Sequence, residues 1–184
     1  MLGDYTKMFN TEKVLYGNWE EAKDVASCVR DMLIDIKGIE YLATNRKFLD
    51  IGCGDGKILH EVQKLFPNIK YFGIDLLKSN VRRAKQNNPI ANIVQGNFAR
   101  IPFIDGTFDF VFSRKIFDYS GWRQEGPFRQ TFNIEDLSKE LYRILKKDGV
   151  YYAFEGMEDP KRQSFKDIGF KSLEENGCYG IFQK

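Results

Sequence analysis

The nine-residue run from Phe48 to Gly56 constrains the fold of this chain more than any other segment. It reads Phe-Leu-Asp-Ile-Gly-Cys-Gly-Asp-Gly, so an apolar stretch leads into three glycines at alternate positions. Glycine lets a backbone turn sharply and approach a ligand closely, because it has no Cβ. Asp50 lies two residues before the first glycine. The run therefore predicts a strand and a ligand-binding turn, and the carboxylate favours a ligand with a cationic tail over a pyrophosphate.

Length and composition are those of an ordinary globular protein. The chain has 184 residues, 42% of them hydrophobic, which predicts one domain. Its 28 basic and 26 acidic residues leave a net charge of +2, which does not indicate a dedicated nucleic-acid-binding protein. The three cysteines are scattered and His60 is the single histidine. We therefore expect neither a disulfide framework nor a metal site.

The first residues and the hydropathy of the chain bear on the cellular location of the protein. Its first residues lack a basic segment followed by an apolar core. No stretch approaches the roughly 18 apolar residues of a membrane span. We expect a cytoplasmic protein.

Apolar periodicity predicts helices and strands that alternate along most of the chain. The predicted helices cover 18–37, 57–66, 77–87, 134–148 and 161–168, with Asn133 capping the fourth and Gly149 ending it. The predicted strands cover 47–51, 69–75, 91–95, 108–113, 150–155, 170–173 and 178–183. Alternation indicates parallel βαβ units with right-handed crossovers. The last two strands are too close in sequence for a crossover, so they predict an antiparallel hairpin.

Polar residues also close the second and third predicted strands. Asp75 and Leu76 end the segment Tyr-Phe-Gly-Ile-Asp-Leu, and Gln-Gly-Asn-Phe at 95–98 follows the third strand. A carboxylate at the end of the second strand can accept both hydroxyls of a ribose. In this order, and together with the glycine run, these segments resemble class I S-adenosylmethionine-dependent methyltransferases. The resemblance covers about residues 47–184 and extends to the helix–Gly–strand unit that ends in Lys-Asp-Gly-Val-Tyr-Tyr.

The resemblance implies an α/β fold with a doubly wound, Rossmann-like sheet of seven strands. The sheet is mostly parallel, ends in an antiparallel hairpin and carries helices on both faces. The implied cofactor is S-adenosylmethionine, with S-adenosylhomocysteine as product. The implied cofactor-binding residues are Asp50, Gly52, Cys53, Gly54, Asp75, Leu76, Gly96, Asn97, Phe98 and Ser113. Asn97 stands where the family usually has an acid, so we expect weaker recognition of the adenine amino group.

The acceptor side of the site is less defined by the sequence. No catalytic residue is assigned, because a base is needed only if the nucleophile arrives protonated. Asp118 and Tyr119 are the candidates for handling a proton. The substrate-binding candidates are Tyr5, Tyr16, Arg114, Trp122 and Arg123. Residues 1–45 are predicted to be a helical lead-in or lid, and 46–184 the Rossmann-like core, of a single methyltransferase domain.

Three functions remain open at this stage. The first is a methyltransferase that acts on a small-molecule or otherwise undefined acceptor by in-line displacement. The second is a non-catalytic module of the same fold that binds a partner or regulates it. The third is an NAD-type oxidoreductase, which the glycine spacing disfavours because the third glycine comes one residue early. No Asn/Asp-Pro-Pro-Tyr/Phe motif follows the fourth strand, which disfavours amino-methylating DNA enzymes, and we expect no nucleic-acid partner.

Overall fold

The computed structural model describes residues 18–116, 134–155, 159–175 and 179–184. Within them the strands are β1 (Lys47–Ile51), β2 (Lys70–Asp75), β3 (Asn92–Gln95), β4 (Phe108–Arg114), β5 (Leu145–Phe154), β6 (Lys171–Glu175) and β7 (Gly180–Gln183). The helices are α1 (Trp19–Lys37), α2 (Ile39–Leu42), α3 (Lys57–Leu65), α4 (Lys78–Asn87), α5 (Ile134–Ile144) and α6 (Asp159–Ile168). A helix separates consecutive strands except between β3 and β4 and between β6 and β7.

The strands form one sheet in the order β3-β2-β1-β4-β5-β7-β6. The pairs from β3 to β5 are all parallel, and β7 lies antiparallel between β5 and β6. This confirms the predicted α/β sheet of seven strands with a C-terminal antiparallel hairpin. The chain leaves β1 toward β2 and later returns to β4 on the other side of β1, so the strand order reverses there. Ligands of such sheets bind outside the carboxyl ends of the strands at this reversal.

Two apolar cores cover the two faces of the sheet. On one face, residues of α1, α3 and α4 such as Val29, Val62 and Ala84 pack with one side of the strands. On the other face, residues of α5 and α6 such as Leu141 and Phe165 pack with the opposite side. The helices therefore present one apolar stripe each, as the sequence periodicity predicts. In the described ranges, no helix is long and apolar enough to cross a membrane.

The largest error in a predicted helix boundary is at the end of the helix before β5. The helix before β5 ends at Ile144, whereas the sequence places its end at Gly149. The last helical carbonyls accept hydrogen bonds from the loop before β4, since Gly106 N donates to Arg143 O (2.9 Å) and Thr107 N to Ile144 O (2.8 Å). Leu145 then pairs with Phe108, and the next residues bulge before pairing resumes at Val150. Capping by another segment of the chain, which sequence periodicity cannot show, shortens this helix; Asn133 lies outside the described residues.

Candidate functional site

The turn after β1 has the left-handed backbone that its glycines predict. Gly52, Gly54 and Gly56 have φ values of +71°, +56° and +78°. The amides of Gly52 and Cys53 both donate to the carbonyl of Ile74, over 2.8 and 3.1 Å, so the turn is fastened to the end of β2. A Cβ on Gly54 would meet no atom of the described residues within 4 Å, so on their side the space beside this glycine is open. The turn thus exposes bare backbone at the strand reversal.

Asp75 joins this turn to the start of α4. Its Oδ2 accepts a hydrogen bond from Gly54 N (2.9 Å), and its Oδ1 accepts from Leu77 N (2.9 Å) and Asn80 Nδ2 (3.1 Å). The residue is 7% exposed. A carboxylate offers about four acceptor positions, and these donors use three of them. One acceptor position therefore stays open on Oδ2, which suits one ribose hydroxyl rather than the pair that the sequence predicts.

Asp50 is buried beside Asp75 but is bonded very differently. It is 3% exposed and lies in register between Gly73 of β2 and Phe112 of β4. Among the residues that the structure describes, no group donates a hydrogen bond to its carboxyl group. Burial, and then the charge of Asp75, raise the pKa of Asp50 well above its usual range. A buried carboxyl group without a donor is a site for a ligand that brings a cation.

The thiol of Cys53 contributes little chemistry of its own. Burial, followed by the charges of Asp50 and Asp75, raises the pKa of this thiol well above its usual value, so it stays protonated and unreactive. A Cβ on Gly73 would come within 3.0 Å of the Cys53 sulfur atom. Glycine at position 73 therefore makes room for Cys53 under the turn, and the backbone amide of Cys53 fastens the turn to β2.

The segment after β3 forms the third side of the site. Gly96 N donates to Asp75 O (3.1 Å), and a Cβ on Gly96 would lie 2.7 Å from Ile74 Cδ1. The side-chain oxygen of Asn97 accepts from Ala99 N (3.0 Å) in a local turn, which leaves it one further acceptor position for an adenine amino group. The ring of Phe98 lies beside the glycine turn, since a Cβ added to Gly52 would be 3.7 Å from the Phe98 Cζ.

Two residues of α5 that the sequence reasoning did not single out hold this segment in place. Glu140 Oε2 accepts from Ile101 N (2.7 Å), and Arg143 donates to the carbonyls of Ile101 (2.9 Å) and Phe103 (2.8 Å). Glu140 and Arg143 also pair with each other at 2.8 Å. Their spacing of three residues on a helix favours a pair, but the sequence gives no sign that the pair clamps a distant loop.

A buried polar network lies at the carboxyl ends of β4 and β5. Ser113 Oγ is 2.7 Å from both Tyr151 Oη and Glu155 Oε1, and all three residues are fully buried. A serine hydroxyl has one proton, so when Ser113 donates to Glu155 it accepts from Tyr151. The hydroxyl of Ser113, a predicted cofactor contact, is thus engaged inside the fold. Sequence reasoning missed Glu155, although the rule applied to the acids ending β1 and β2 also finds it after β5.

The first turn of helix α1 lies near the same end of the sheet. Arg114, a predicted substrate-binding residue, forms an ion pair with Glu21 of α1. The Trp19 ring makes an edge contact with His60 of α3 at 5.3 Å, and Lys57 Nζ lies 5.8 Å from its centre. The first turn of α1 is therefore tied to β4 and to the helix that follows the glycine turn. Arg114 is held by an acid rather than presented alone to an anionic substrate.

The structure brings most of the predicted cofactor residues together. The strand ends and the segment after β3 place Asp50, Gly52, Cys53, Gly54, Asp75, Leu76, Gly96, Asn97 and Phe98 around the strand reversal. Six other candidates lie outside the described residues, namely Tyr5, Tyr16, Asp118, Tyr119, Trp122 and Arg123. Within the described ranges, no group of three or more His, Cys, Asp or Glu side chains could hold a metal ion.

Comparison with known proteins places this arrangement among methyltransferases. Residues 49–153, which include the glycine turn, Asp75 and Asn97, match a family model described as a methyltransferase domain. A TehB-like SAM-dependent methyltransferase from Corynebacterium glutamicum superposes with a TM-score of 0.59 at 20% identity, over 91% of this chain and 100% of that one. At that identity the superposition establishes the fold alone.

Two curated relatives extend the comparison. The 24-methylenesterol C-methyltransferase 2 of Arabidopsis thaliana is 24% identical over 151 residues, which cover 79% of this chain and 38% of that protein. The malonyl-[acyl-carrier protein] O-methyltransferase of Legionella pneumophila is 30% identical over 115 residues, covering 60% and 37%. The chain thus spans well under half the length of these relatives. Their names give a carbon and an oxygen as attacked atoms, so the likeness selects neither.

Proposed function

Because the chain belongs to the methyltransferase domain family, we propose that it transfers the sulfonium methyl group of S-adenosylmethionine to a small-molecule acceptor. Membership of the family confirms the resemblance predicted from the motifs, and S-adenosylmethionine is the cofactor that this membership implies. The observation that carries the proposal is the pair of buried acids, Asp50 and Asp75, which end adjacent parallel strands on either side of the glycine turn.

The residues present fit this cofactor. The open acceptor position of Asp75 would take a ribose hydroxyl, and the empty space beside Gly54 would admit the sugar against bare backbone. Asp50 would face the cationic amino group of the methionine end, whose N–H groups would donate to a carboxyl group that receives no donor from the described residues. The remaining acceptor position of Asn97 would take the adenine amino group, with Phe98 beside the turn.

The chemistry asks mainly for alignment and dryness from the protein. When bound, the cofactor supplies an electrophilic methyl group on a sulfonium. Asp50 and Asp75 would fix the two ends of one elongated ligand, which orients it for in-line attack. The apolar side chains of Phe98 and Ile116, both close to Gly52, would exclude water from the turn. Proton handling by Asp118 or Tyr119 stays a sequence-based prediction.

The acceptor, the surroundings and the domain limits are predictions from the sequence. A small-molecule acceptor agrees with the sterol in the name of the first relative and with a net charge of +2, whereas the name of the second gives a malonyl group on an acyl-carrier protein. A cytoplasmic location and the absence of a nucleic-acid partner rest on the sequence alone. So does a single domain of 1–184 with a lead-in over 1–45, although the ion pair of Glu21 with Arg114 supports contact between lead-in and core.

A labelled-methyl assay tests the function. The protein is incubated with methyl-labelled S-adenosylmethionine and a metabolite extract, and organic-soluble and polar fractions are searched for label. We expect transfer to at least one compound, abolished in Asp75→Ala and retained in Asp31→Asn, whose exposed carboxylate pairs with Arg30 at the surface. Binding of S-adenosylhomocysteine without transfer to any fraction would instead support the non-catalytic module.

A further inference from the structure

We propose that Asp50 carries a proton in the ligand-free protein and releases it when a nucleoside with an ammonium tail binds. The inference rests on the proposed function, because it concerns the same cofactor site. It makes Asp50 the residue that distinguishes S-adenosylmethionine and S-adenosylhomocysteine from adenosine compounds without an amino-acid tail. It also couples cofactor binding to pH.

The two buried acids differ in their hydrogen bonding. Asp75 accepts hydrogen bonds from three N–H donors. Asp50 receives no such donor among the described residues, although it is 3% exposed. An ionised Asp50 would therefore be desolvated, without a donor and next to a second negative charge. The neutral acid avoids all of these costs, and the raised pKa of Asp50 has the same two causes.

In the part of the chain that the structure describes, the other titratable groups around Asp50 do not supply a positive charge to it. Its strand neighbours in register are Gly73 and Phe112, neither of which is ionisable. In the turn, Cys53 stays a neutral thiol. Two cations near this end of the sheet are paired with acids, Lys57 with Asp55 at 2.8 Å and Arg114 of β4 with Glu21 of α1. Within the described ranges no cation pairs with Asp50, so we assign that role to the ligand.

The proton balance is simple. A neutral Asp50 and a ligand ammonium give a carboxylate–ammonium pair and one proton, which passes to the solvent. No covalent bond changes. Because binding releases a proton, affinity for the ammonium ligand falls as the pH falls, by up to about tenfold per pH unit. A ligand that lacks the ammonium leaves Asp50 neutral and shows no such slope.

Calorimetry in two buffers of different ionisation heat measures the released protons directly. Wild-type protein is titrated at pH 7 with S-adenosylhomocysteine and with 5′-methylthioadenosine, which has the nucleoside and thioether but no amino-acid tail. We expect release of up to about one proton per bound S-adenosylhomocysteine and none for 5′-methylthioadenosine. Binding of S-adenosylhomocysteine with no proton released overturns the inference and leaves the proposed function standing. Failure of S-adenosylhomocysteine to bind at all contradicts the proposed function itself.

The variant Asp50→Asn identifies the group that gives up the proton. Its amide is nearly isosteric and does not titrate, so we expect no proton release and at least about tenfold weaker binding of S-adenosylhomocysteine. Binding of 5′-methylthioadenosine should change less than about threefold, which also reports that the site is folded. Unchanged proton release in Asp50→Asn would assign the proton to another group and overturn the inference. If this variant does not fold, the wild-type comparison of the two ligands decides.

Discussion

The backbone amide of Gly54 donates to the carboxylate of Asp75 over 2.9 Å, so the turn after β1 and the end of β2 form one rigid unit. This hydrogen bond joins a glycine, which has no side chain, to an acidic residue. Asp75 therefore has two tasks, because it shapes the turn and also keeps an acceptor position open toward the ligand. A substitution at Asp75 is expected to affect both folding stability and cofactor binding.

Replacing Asp75 tests these two tasks together. In Asp75→Asn the amide nitrogen must face a backbone N–H of either Gly54 or Leu77, so one favourable contact becomes a conflict. We expect the free energy of unfolding to fall by about 1–3 kcal/mol. We expect the dissociation constant for S-adenosylhomocysteine to rise at least about 30-fold, as measured by calorimetry. Asp31→Asn is the matched surface control, and equal affinity in the two variants would remove Asp75 from the site.

Two glycines with similar φ values allow backbone strain to be distinguished from steric obstruction of the ligand. Gly54 and Gly106 have φ values of +56° and +60°, and a Cβ on either would meet no atom within 4 Å among the residues that the structure covers. Alanine at either position should cost about 1–2 kcal/mol of stability, from the left-handed backbone alone. Only Gly54→Ala places a methyl group in the proposed ligand space, so we expect it alone to weaken S-adenosylhomocysteine binding, by at least about tenfold. Equal weakening by Gly106→Ala would contradict this position of the ligand.

The stability of the ligand-free protein should depend on Asp50 in a defined direction. In the unfolded chain an aspartate has a pKa of about 3.9. Burial and the charge of Asp75 raise the pKa in the folded protein, so the folded state keeps a proton that the unfolded chain has lost. Its contribution to stability is complete below about pH 4 and is lost as the pH rises toward the folded pKa. Asn does not titrate, so the unfolding free energy of Asp50→Asn should rise relative to that of the wild type between about pH 4 and the folded pKa of Asp50.

Denaturant unfolding of wild type and Asp50→Asn at pH 4 to 8, without ligand, measures this gain. We expect the difference in unfolding free energy to shift in favour of Asp50→Asn as the pH rises, by about 1.4 kcal/mol for each pH unit over which the folded protein keeps the proton. Asp50 would then lower the stability of the ligand-free protein while it contributes to ligand binding, as active-site groups often do. A difference that is independent of pH would show that Asp50 titrates normally in the folded protein.

The ion pair of Glu21 and Arg114 ties the first turn of α1 to the end of β4. Both side chains are mostly buried, at 18% and 14% exposure. A double-mutant cycle with Glu21→Gln and Arg114→Gln should give a coupling energy of about 0.5–3 kcal/mol. The exposed pair Glu135–Lys139, at 4.0 Å, is the control and should give less than about 0.5 kcal/mol. Equal coupling in the two cycles would mean that α1 is held without this pair.

The sequence predicts the sheet well because strands and turns here are specified locally. The predicted limits of β1 match the structure, since an apolar run stops at a glycine that needs a left-handed backbone. The residues that went unrecognised act over long separations. Glu140 and Arg143 form hydrogen bonds with a segment about 40 residues away. Glu21, near the start of the chain, forms an ion pair with Arg114. Such pairings follow from packing, which periodicity does not encode.

The site shows the same division. Spacing within one turn predicts which backbone amides and acids meet at the strand reversal, and the structure brings them together. The number of acceptor positions left on Asp75, and the lack of donors around Asp50, depend on neighbours such as Asn80 and Gly73 that no motif marks. The sequence therefore predicts where a ligand lies, whereas the protonation of the site requires the three-dimensional contacts.

A crystal structure of the protein with S-adenosylhomocysteine tests the central claim most directly. The account predicts one bound molecule at the carboxyl ends of β1 and β2. A ribose hydroxyl should lie within hydrogen-bond distance of Asp75 Oδ2, and the ammonium group should lie against the Asp50 carboxylate. A molecule bound elsewhere, or one whose ribose and ammonium contact neither acid, would contradict the account.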